Sequence, residues 1–145
     1  MIAIDTNLLV YAHREDSEWH EAAKSCLVDL ADGGSSWAIA WNSLHEFLAV
    51  VTHPRIYSPP TPHATAFESI KAWMASPGLQ LLHEGPGYLE KLERLCVGAK
   101  ISGSRVHDAR IAAICLNHRV TELWTADRDF AVFPGLKTRN PLIGR

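Results

Sequence analysis

Short apolar runs alternate with longer amphipathic segments along this chain. Four mostly apolar runs, at residues 2–4, 37–39, 79–82 and 122–125, are typical of strands buried on both faces of a parallel sheet. A weaker run near residues 136–139 predicts a fifth strand. Between the runs, apolar side chains recur at spacings of three and four, which is the pattern of amphipathic helices.

Capping residues and helix breakers mark where these helices begin and end. The predicted starts are Thr6 or Asn7, Ser17, a position just before Leu44, Thr61-Pro62, a position near Leu89, and Ser104. Gly33-Gly34, His53-Pro54 and Pro77-Gly78 end three of the helices. Because strands alternate with helices, we expect a parallel sheet covered by helices on both faces. No repeat or flexible linker interrupts the pattern, so a single domain is predicted over residues 1–145.

Composition limits the classes of protein that this chain can belong to. The 145 residues are 47% hydrophobic and 21% charged, with a net charge of −2, which is typical of a globular domain and excludes a disordered chain. The near-neutral charge also excludes a strongly basic nucleic-acid coat, so any contact with RNA or DNA must be local. Apolar runs far shorter than the roughly 20 residues that cross a bilayer, and a carboxylate at Asp5, predict a cytoplasmic protein without a membrane partner.

Most of the cysteines and tryptophans are expected to pack in the core. Three cysteines without a C-x-x-C pair indicate reduced core thiols rather than a disulfide or a zinc site. Trp37, Trp73 and Trp124 fall on predicted core positions, whereas Trp19 and Trp41 stay unassigned. Most of the eight scattered histidines are expected at the surface or at helix ends, and His107 is the exception, as a group that could contact a phosphate or tune its neighbour Asp108.

Four carboxylates fall where parallel strands would bring them together. Asp5 directly follows the first strand and Asp127 follows the fourth, so both lie at the carboxyl edge of the predicted sheet. Glu46 in the helix after the second strand, and Asp108 in the helix before the fourth, can reach the same edge through right-handed crossovers. Clustered carboxylates repel one another, so they require raised pKa values or a divalent cation. Oxygen-only ligands suit Mg²⁺ or Mn²⁺.

Each acidic residue also has a simpler interpretation when it is taken alone. Asp5 could cap the first helix, Glu46 could be a solvated helix residue, and Asp108 could be an acid favoured by the helix dipole. Residues 125–130 could be a polar turn. No single position decides between these interpretations and a common site.

A series of motifs runs along the chain: MIAIDTNLLVYA at 1–12, EFL at 46–48, THPRI at 52–56, DA at 108–109 with AA at 112–113, LWTADRDF at 123–130, FPGL at 133–136 and NPL at 140–142. In this order, the motifs resemble those of the PIN-domain ribonucleases and, more closely, those of the VapC-type toxins of type II toxin–antitoxin pairs, in the branch expanded in mycobacteria. They extend over essentially the whole chain.

The resemblance implies an α/β fold, a PIN-like three-layer α/β/α sandwich with a central parallel sheet of four to five strands. It implies an endoribonuclease dependent on Mg²⁺ or Mn²⁺, with a catalytic quartet of Asp5, Glu46, Asp108 and Asp127. Asp5, Asp108 and Asp127 are the predicted metal ligands, and Glu46 would complete the site or hold the attacking water. Supporting roles are expected for Thr6, Asn7, Thr125 and Asp129.

The resemblance also implies partners for the chain. These are a cognate antitoxin encoded by a neighbouring gene, an RNA substrate such as structured transfer or ribosomal RNA, and a second copy in a homodimer or a toxin–antitoxin hetero-oligomer. Because the chain is not basic, RNA contacts must come from a few residues, and the candidates are Arg14, Arg55, Lys100 and Arg105.

Rival interpretations leave specific positions unexplained. His45-Glu46 begins like a helical zinc-protease motif, but Ala49 stands where the second histidine is required. Gly98 and Gly103 lie in a glycine-containing loop that carries Ser104 where a phosphate-binding loop needs lysine. A DNA nuclease of the same fold and a catalytically silent interaction domain remain as alternative functions.

Overall fold

The computed structural model describes residues 1–144, and within that range five strands form one parallel sheet. The strands are β1 (Ile2–Ile4), β2 (Trp37–Ala40), β3 (Leu79–Leu82), β4 (Glu122–Trp124) and β5 (Thr138–Arg139). The helices are α1 (Thr6–His13), α2 (His20–Asp32), α3 (Trp41–Val51), α4 (His63–Met74), α5 (Tyr88–Ala99) and α6 (Val106–Asn117). Short 3-10 turns cover Gly103–Arg105 and Arg128–Val132.

The strand order β3-β2-β1-β4-β5 puts β1 at the centre of the sheet. In the register, Ala3 is paired with Ala38 of β2 on one side and with Leu123 of β4 on the other. Because all five strands are parallel, the residues that follow β1, β2 and β4 lie along one edge. The weak fifth strand predicted near residues 136–139 is present as β5, beside β4.

Side chains alternate across the sheet and divide the core into two layers. Ala3, Ala38 and Leu123 face one layer, which is completed by α5, α6 and the segment that follows β4. Ile4 and Ile39 face the other layer, which is completed by α1, α2, α3 and α4. The three-layer α/β/α sandwich is therefore confirmed.

Some boundaries differ from those predicted, because side chains at those positions have other partners. The predicted cap at Thr6 or Asn7 is wrong, since the Asp5 Oδ1 atom accepts the Thr6 amide at 2.8 Å and Thr6 is the first residue of α1. The predicted start of α2 at Ser17 is also wrong. The Ser17 hydroxyl accepts the Trp19 amide at 3.1 Å within a turn, and the helix begins at His20.

Core residues identified by their chemistry pack largely as predicted. Trp37 and Trp124 are buried, and the Trp73 ring lies 4.9 Å from that of Phe47. The thiols of Cys26 and Cys115 are buried, and that of Cys96 is partly buried. Over residues 1–144, no helix is both long enough and apolar enough to span a membrane.

Candidate active site

The four predicted catalytic carboxylates line one cavity of about 350 Å³ at the carboxyl edge of the sheet. Asp5 comes from the end of β1, Glu46 from α3, Asp108 from the first turn of α6 and Asp127 from the segment after β4. The other lining residues are Thr6, Asn7, Val10, Tyr11, Val50, Tyr57 and Ile111. The topology thus brings together side chains that are up to 122 positions apart in the sequence.

Asp5 is held at the base of this cavity by three neighbours. Its carboxylate is only 4% exposed and accepts hydrogen bonds from the Thr6 amide at 2.8 Å and from the Thr125 hydroxyl at 2.7 Å. The Asn7 amide group donates to Asp5 Oδ2 and to the Thr125 hydroxyl, at 3.4 Å each. Thr125 also accepts the Asp127 amide at 3.0 Å, so this network links β1 to the segment after β4.

Glu46 is oriented by the helix that follows Asp5. The Thr6 hydroxyl donates to Glu46 Oε2 at 3.0 Å, which connects the first turn of α1 to the middle of α3. Val50, one turn further along α3, lines the same cavity. Thr6 therefore contacts one catalytic candidate through its amide and another through its hydroxyl.

Two carboxylates of the cavity lining, Asp108 and Asp127, approach a third carboxylate, that of Asp129, which does not line the cavity. Asp108, Asp127 and Asp129 each offer an oxygen atom, and these atoms lie within 4.8 Å of one another. Asp127 is fixed because its Oδ1 atom accepts the Asp129 amide at 2.8 Å. The Arg105 guanidinium reaches this group and donates to the Asp129 carbonyl at 3.2 Å. Asp129 was predicted as a helper, whereas here it stands in the closest group of acids, to which Asp5 does not belong.

Burial and like charges favour protonation at two of these acids. Burial raises the pKa of Asp5 from 3.8 to about 7; the Thr125 and Thr6 hydrogen bonds oppose this increase, and the charges of Glu46 and Asp108 add to it. Burial also raises the pKa of Asp108, as does the charge of Asp127, while Arg105 opposes that increase. Ionisation of Asp5 and Asp108 in this site therefore costs free energy.

The donor set fits a hard divalent cation. Every side chain that lines the cavity and can act as a ligand offers oxygen, from carboxylate, hydroxyl or amide groups, which suits Mg²⁺ or Mn²⁺. Among the described residues, the lining contains no lysine or arginine that could balance the acids. Beyond the charge of Arg105 beside Asp108, the balancing charge would come from a proton or a bound cation.

The four basic residues predicted to contact RNA lie in different surroundings. Arg105 lies beside the acidic group, whereas Arg55 and Lys100 are exposed and do not line the cavity. The Arg14 side chain is only 11% exposed, and its guanidinium pairs with Asp16 at 2.6 Å. His107, the histidine singled out from the sequence, is exposed beside Asp108.

Two tyrosines that line the cavity, Tyr11 and Tyr57, were not among the residues predicted from the sequence. Tyr11 lies four residues after Asn7 in α1 and so shares its helix face, a spacing that could have identified it. Tyr57 lies in the proline-rich loop between α3 and α4, where no periodic pattern marks it.

Comparisons with known proteins agree with this arrangement. The PIN domain family matches residues 2–136. The ribonuclease VapC43 of Mycobacterium tuberculosis is 33% identical over 145 residues, which is 100% of this chain and 98% of the relative. The ribonuclease VapC31 of the same species is 32% identical over 141 residues, covering 97% of this chain and 99% of the relative.

Solved structures share the fold at low sequence identity. VapBC2 from Rickettsia felis, bound to a DNA fragment from its promoter, aligns with a TM-score of 0.72 at 19% identity, covering 96% of this chain and 98% of that one. VapC20 of M. tuberculosis, described as a sarcin–ricin loop cleaving toxin, aligns with a TM-score of 0.66 at 17% identity, covering 90% and 93%. With its full-length relatives and its acidic cavity at the sheet edge, this chain belongs to the PIN-domain family, among proteins named VapC ribonucleases.

Proposed function

We propose that this protein is a metal-dependent endoribonuclease that acts as the toxin of a toxin–antitoxin pair and stops growth by cutting a structured RNA needed for translation. The observation that carries the proposal is the convergence of Asp5, Glu46, Asp108 and Asp127 on one open, oxygen-lined cavity. The full-length relatives named as ribonucleases support the RNA substrate. The whole described chain acts as one domain in this proposal.

In the proposed reaction, Asp108 and Asp127, with Asp129 or Asp5, would hold Mg²⁺ or Mn²⁺. When bound, such a cation would lower the pKa of water and neutralise charge on a phosphodiester. Glu46 would position the attacking water and accept its proton, because the Thr6 hydroxyl fixes one carboxylate oxygen and orients the group. As the water oxygen bonds to phosphorus, the bond from phosphorus to the leaving ribose oxygen breaks, and that oxygen takes a proton from solvent. Thr125 and Asn7 hold Asp5 in place. Arg105 keeps Asp129 next to Asp127 through the Asp129 carbonyl.

The direct test is cleavage of bacterial RNA by the purified protein with Mg²⁺, with Mn²⁺ and with excess chelator. We expect cleavage only with a divalent cation, and loss of most activity in Asp108→Asn and Asp127→Asn with unchanged circular dichroism. Asp32→Asn, at the exposed end of α2, is the matched control that keeps full activity. Undiminished cleavage in chelator would refute the metal assignment. A preference for DNA of the same sequence would favour the DNA-nuclease alternative.

The toxin assignment has a separate test in cells. We expect expression of the chain alone to arrest bacterial growth, and expression together with the product of the neighbouring gene to restore it. Asp127→Asn should not arrest growth. A basic side chain of the antitoxin that reaches the carboxylates would explain inhibition, because a guanidinium binds carboxylates in a bidentate manner. Full inhibition by an antitoxin segment that binds away from the cavity would refute this blocking mechanism and leave the nuclease assignment intact.

A further inference from the structure

The loop between α3 and α4 supplies an aromatic side chain to the acidic cavity. Tyr57 lines the cavity together with Asp5, Glu46 and Asp108, although it comes from an irregular segment that contains four of the chain's eight prolines. Its ring is partly buried against the layer formed by α1 to α4. The loop is closed at its base, where the Thr61 amide donates to the Val51 carbonyl at 2.8 Å.

Arg14 supports the Tyr57 ring from outside the cavity. The guanidinium carbon lies 4.1 Å from the ring centre, within the range of a cation–π contact. Arg14 does not line the acidic cavity but a neighbouring one of about 510 Å³. The same guanidinium donates to the Pro59 carbonyl at 3.0 Å and to the Thr61 hydroxyl at 3.2 Å, so it attaches the loop to the end of α1.

The Arg14 side chain is itself fixed. Its Nε and Nη2 atoms donate to the two Asp16 oxygens at 2.9 Å and 2.6 Å. This bidentate pairing balances the charge of Arg14 and sets the plane of the guanidinium. Next to it, His13 lies 3.0 Å from the Thr61 hydroxyl and 2.7 Å from the Ser69 hydroxyl. The ring of Tyr57 is therefore held against a rigid support.

The cavity is lined by carboxylates and the chain has a net charge of −2, so uncharged contacts would add to the attraction that a bound cation and nearby basic residues offer an RNA backbone. An aromatic ring offers such a contact, because every nucleobase has a face on which it can stack. We propose that Tyr57 is a specificity-determining residue that stacks on the base next to the cleaved phosphodiester, and that Arg14 is the positioning residue that holds its ring. This inference rests on the proposed ribonuclease function.

The test combines variants of Tyr57 with RNAs that each lack one base. The probe is a synthetic RNA hairpin that carries the site cut by the wild type in bacterial RNA. Further hairpins each carry one abasic nucleotide at a position beside the cut. We expect Tyr57→Leu to lower kcat/KM about tenfold, the scale of one lost stack, mainly through KM. Tyr57→Phe keeps the ring and should stay close to the wild type. Tyr88→Leu, in α5 and outside the cavity lining, is the matched control.

The decisive result is the coupling between the side chain and the base. At one position, removal of the base should slow cleavage by the wild type about tenfold. The same removal should leave the rate of Tyr57→Leu at its value on the intact RNA, because the loss of the base and the loss of the ring remove the same stack. Equal abasic penalties in the two proteins at every position would overturn the inference while leaving the nuclease function standing. A wild type that cuts no RNA with Mg²⁺ or Mn²⁺ would overturn both.

Arg14 is tested by the same coupling. Arg14→Leu should raise KM and weaken the abasic penalty at that one position, with little change in kcat, because the ring loses its support. Arg14→Lys keeps the charge but lacks the planar guanidinium, so its KM and its abasic penalty should lie between those of Arg14→Leu and the wild type. Arg94→Leu, at an exposed position of α5, controls for removal of a positive charge. An equal rise in KM for Arg14→Leu and Arg94→Leu, with the abasic penalty intact, would refute the positioning role.

Discussion

The Asp5 carboxyl group combines deep burial with hydrogen bonds that favour its charged form. Burial raises its pKa to about 7, while the Thr125 and Thr6 donors oppose that rise. Between its ordinary pKa of 3.8 and about 7, the folded protein binds a proton that the unfolded chain has released. In metal-free protein, the stability contributed by this proton is complete below pH 4 and is lost as the pH rises through 7.

The first prediction follows from this linkage. In chelator, the free energy of unfolding of the wild type should fall between pH 4 and pH 8, whereas that of Asp5→Asn should change much less. At pH 8 the variant should be the more stable protein by on the order of 2–4 kcal/mol, while losing most RNA cleavage. Urea unfolding at several pH values, with Asp32→Asn as the exposed control, measures this. A steeper pH dependence in Asp5→Asn than in the wild type would contradict the assignment.

The second prediction concerns the hydroxyl group that favours the charged form of Asp5. Thr125 donates to Asp5 at 2.7 Å, so Thr125→Val should raise the Asp5 pKa further. The cleavage rate should rise with pH as Asp5 ionises, and in Thr125→Val this rise should occur at a higher pH. Loss of this buried hydrogen bond should also cost about 1–3 kcal/mol of stability. Thr125→Ser retains the donor and should restore the wild-type pH profile. An unshifted profile in Thr125→Val would show that this bond does not control the ionisation of Asp5.

The sequence predicted that four acids would lie together at one edge of the sheet, as they do, whereas their catalytic roles stay a prediction. Asp5 and Asp127 follow strands, so their place at the sheet edge could be deduced from strand order. The close approach of Asp129 to Asp108 depends on the 3-10 turn Arg128–Val132, in which the Asp129 amide bonds to Asp127. A five-residue turn of this type has no periodic signature, so its geometry could not be deduced.

Among the elements, α6 depends most on small side chains. Its Ala109, Ala112 and Ala113 are fully buried in the layer beneath the sheet. Small residues let the helix axis lie close to the strands, and that distance sets how far Asp108 reaches toward the cavity. The periodicity in the sequence predicted the helix and its small face, but its start at Ser104 lies in a 3-10 turn before Val106.

The third prediction concerns a larger side chain on this face of small residues. Ala112→Leu should destabilise the protein by about 1–3 kcal/mol, because a close-packed layer has no space for three added carbon atoms. It should also reduce cleavage in the fraction that remains folded, since α6 carries Asp108. Ala49→Leu makes the same change at an exposed position of α3 and should be nearly neutral for stability. Equal unfolding midpoints for the two variants would show that α6 packs loosely.

At the scale of the whole molecule, the proposed cation site would couple cation binding to folding. A cation that binds only the folded protein stabilises it by mass action, and its binding competes with the proton on Asp5. The fourth prediction is that Mg²⁺ or Mn²⁺ raises the melting temperature, and does so more at pH 8 than at pH 5.5. Thermal melts of the wild type and Asp127→Asn test this, with Asp32→Asn as control. An equal rise in Asp127→Asn would place the bound cation elsewhere.

The whole fold was more predictable than the complete site. Buried strands alternating with helices fix a parallel sheet, and the resemblance over all motifs supplied the α/β/α layers. Tyr57 was not predicted, and Arg14 was predicted only as a contact for RNA, because the contact between the two side chains joins the end of α1 to an irregular loop. Such contacts depend on tertiary packing rather than on periodicity along the chain.

The central position of β1 has a consequence for synthesis of the chain. Asp5 and β1 are made before the other strands, but β1 gains its second neighbour only when β4, at Glu122–Trp124, is available to pair with it. Asp127 follows still later. A growing chain on the ribosome therefore holds the acids apart until residues 122–127 have emerged, and the late pairing of a distant strand delays assembly. The acids of the cavity would therefore come together only after β4 and Asp127 have been made.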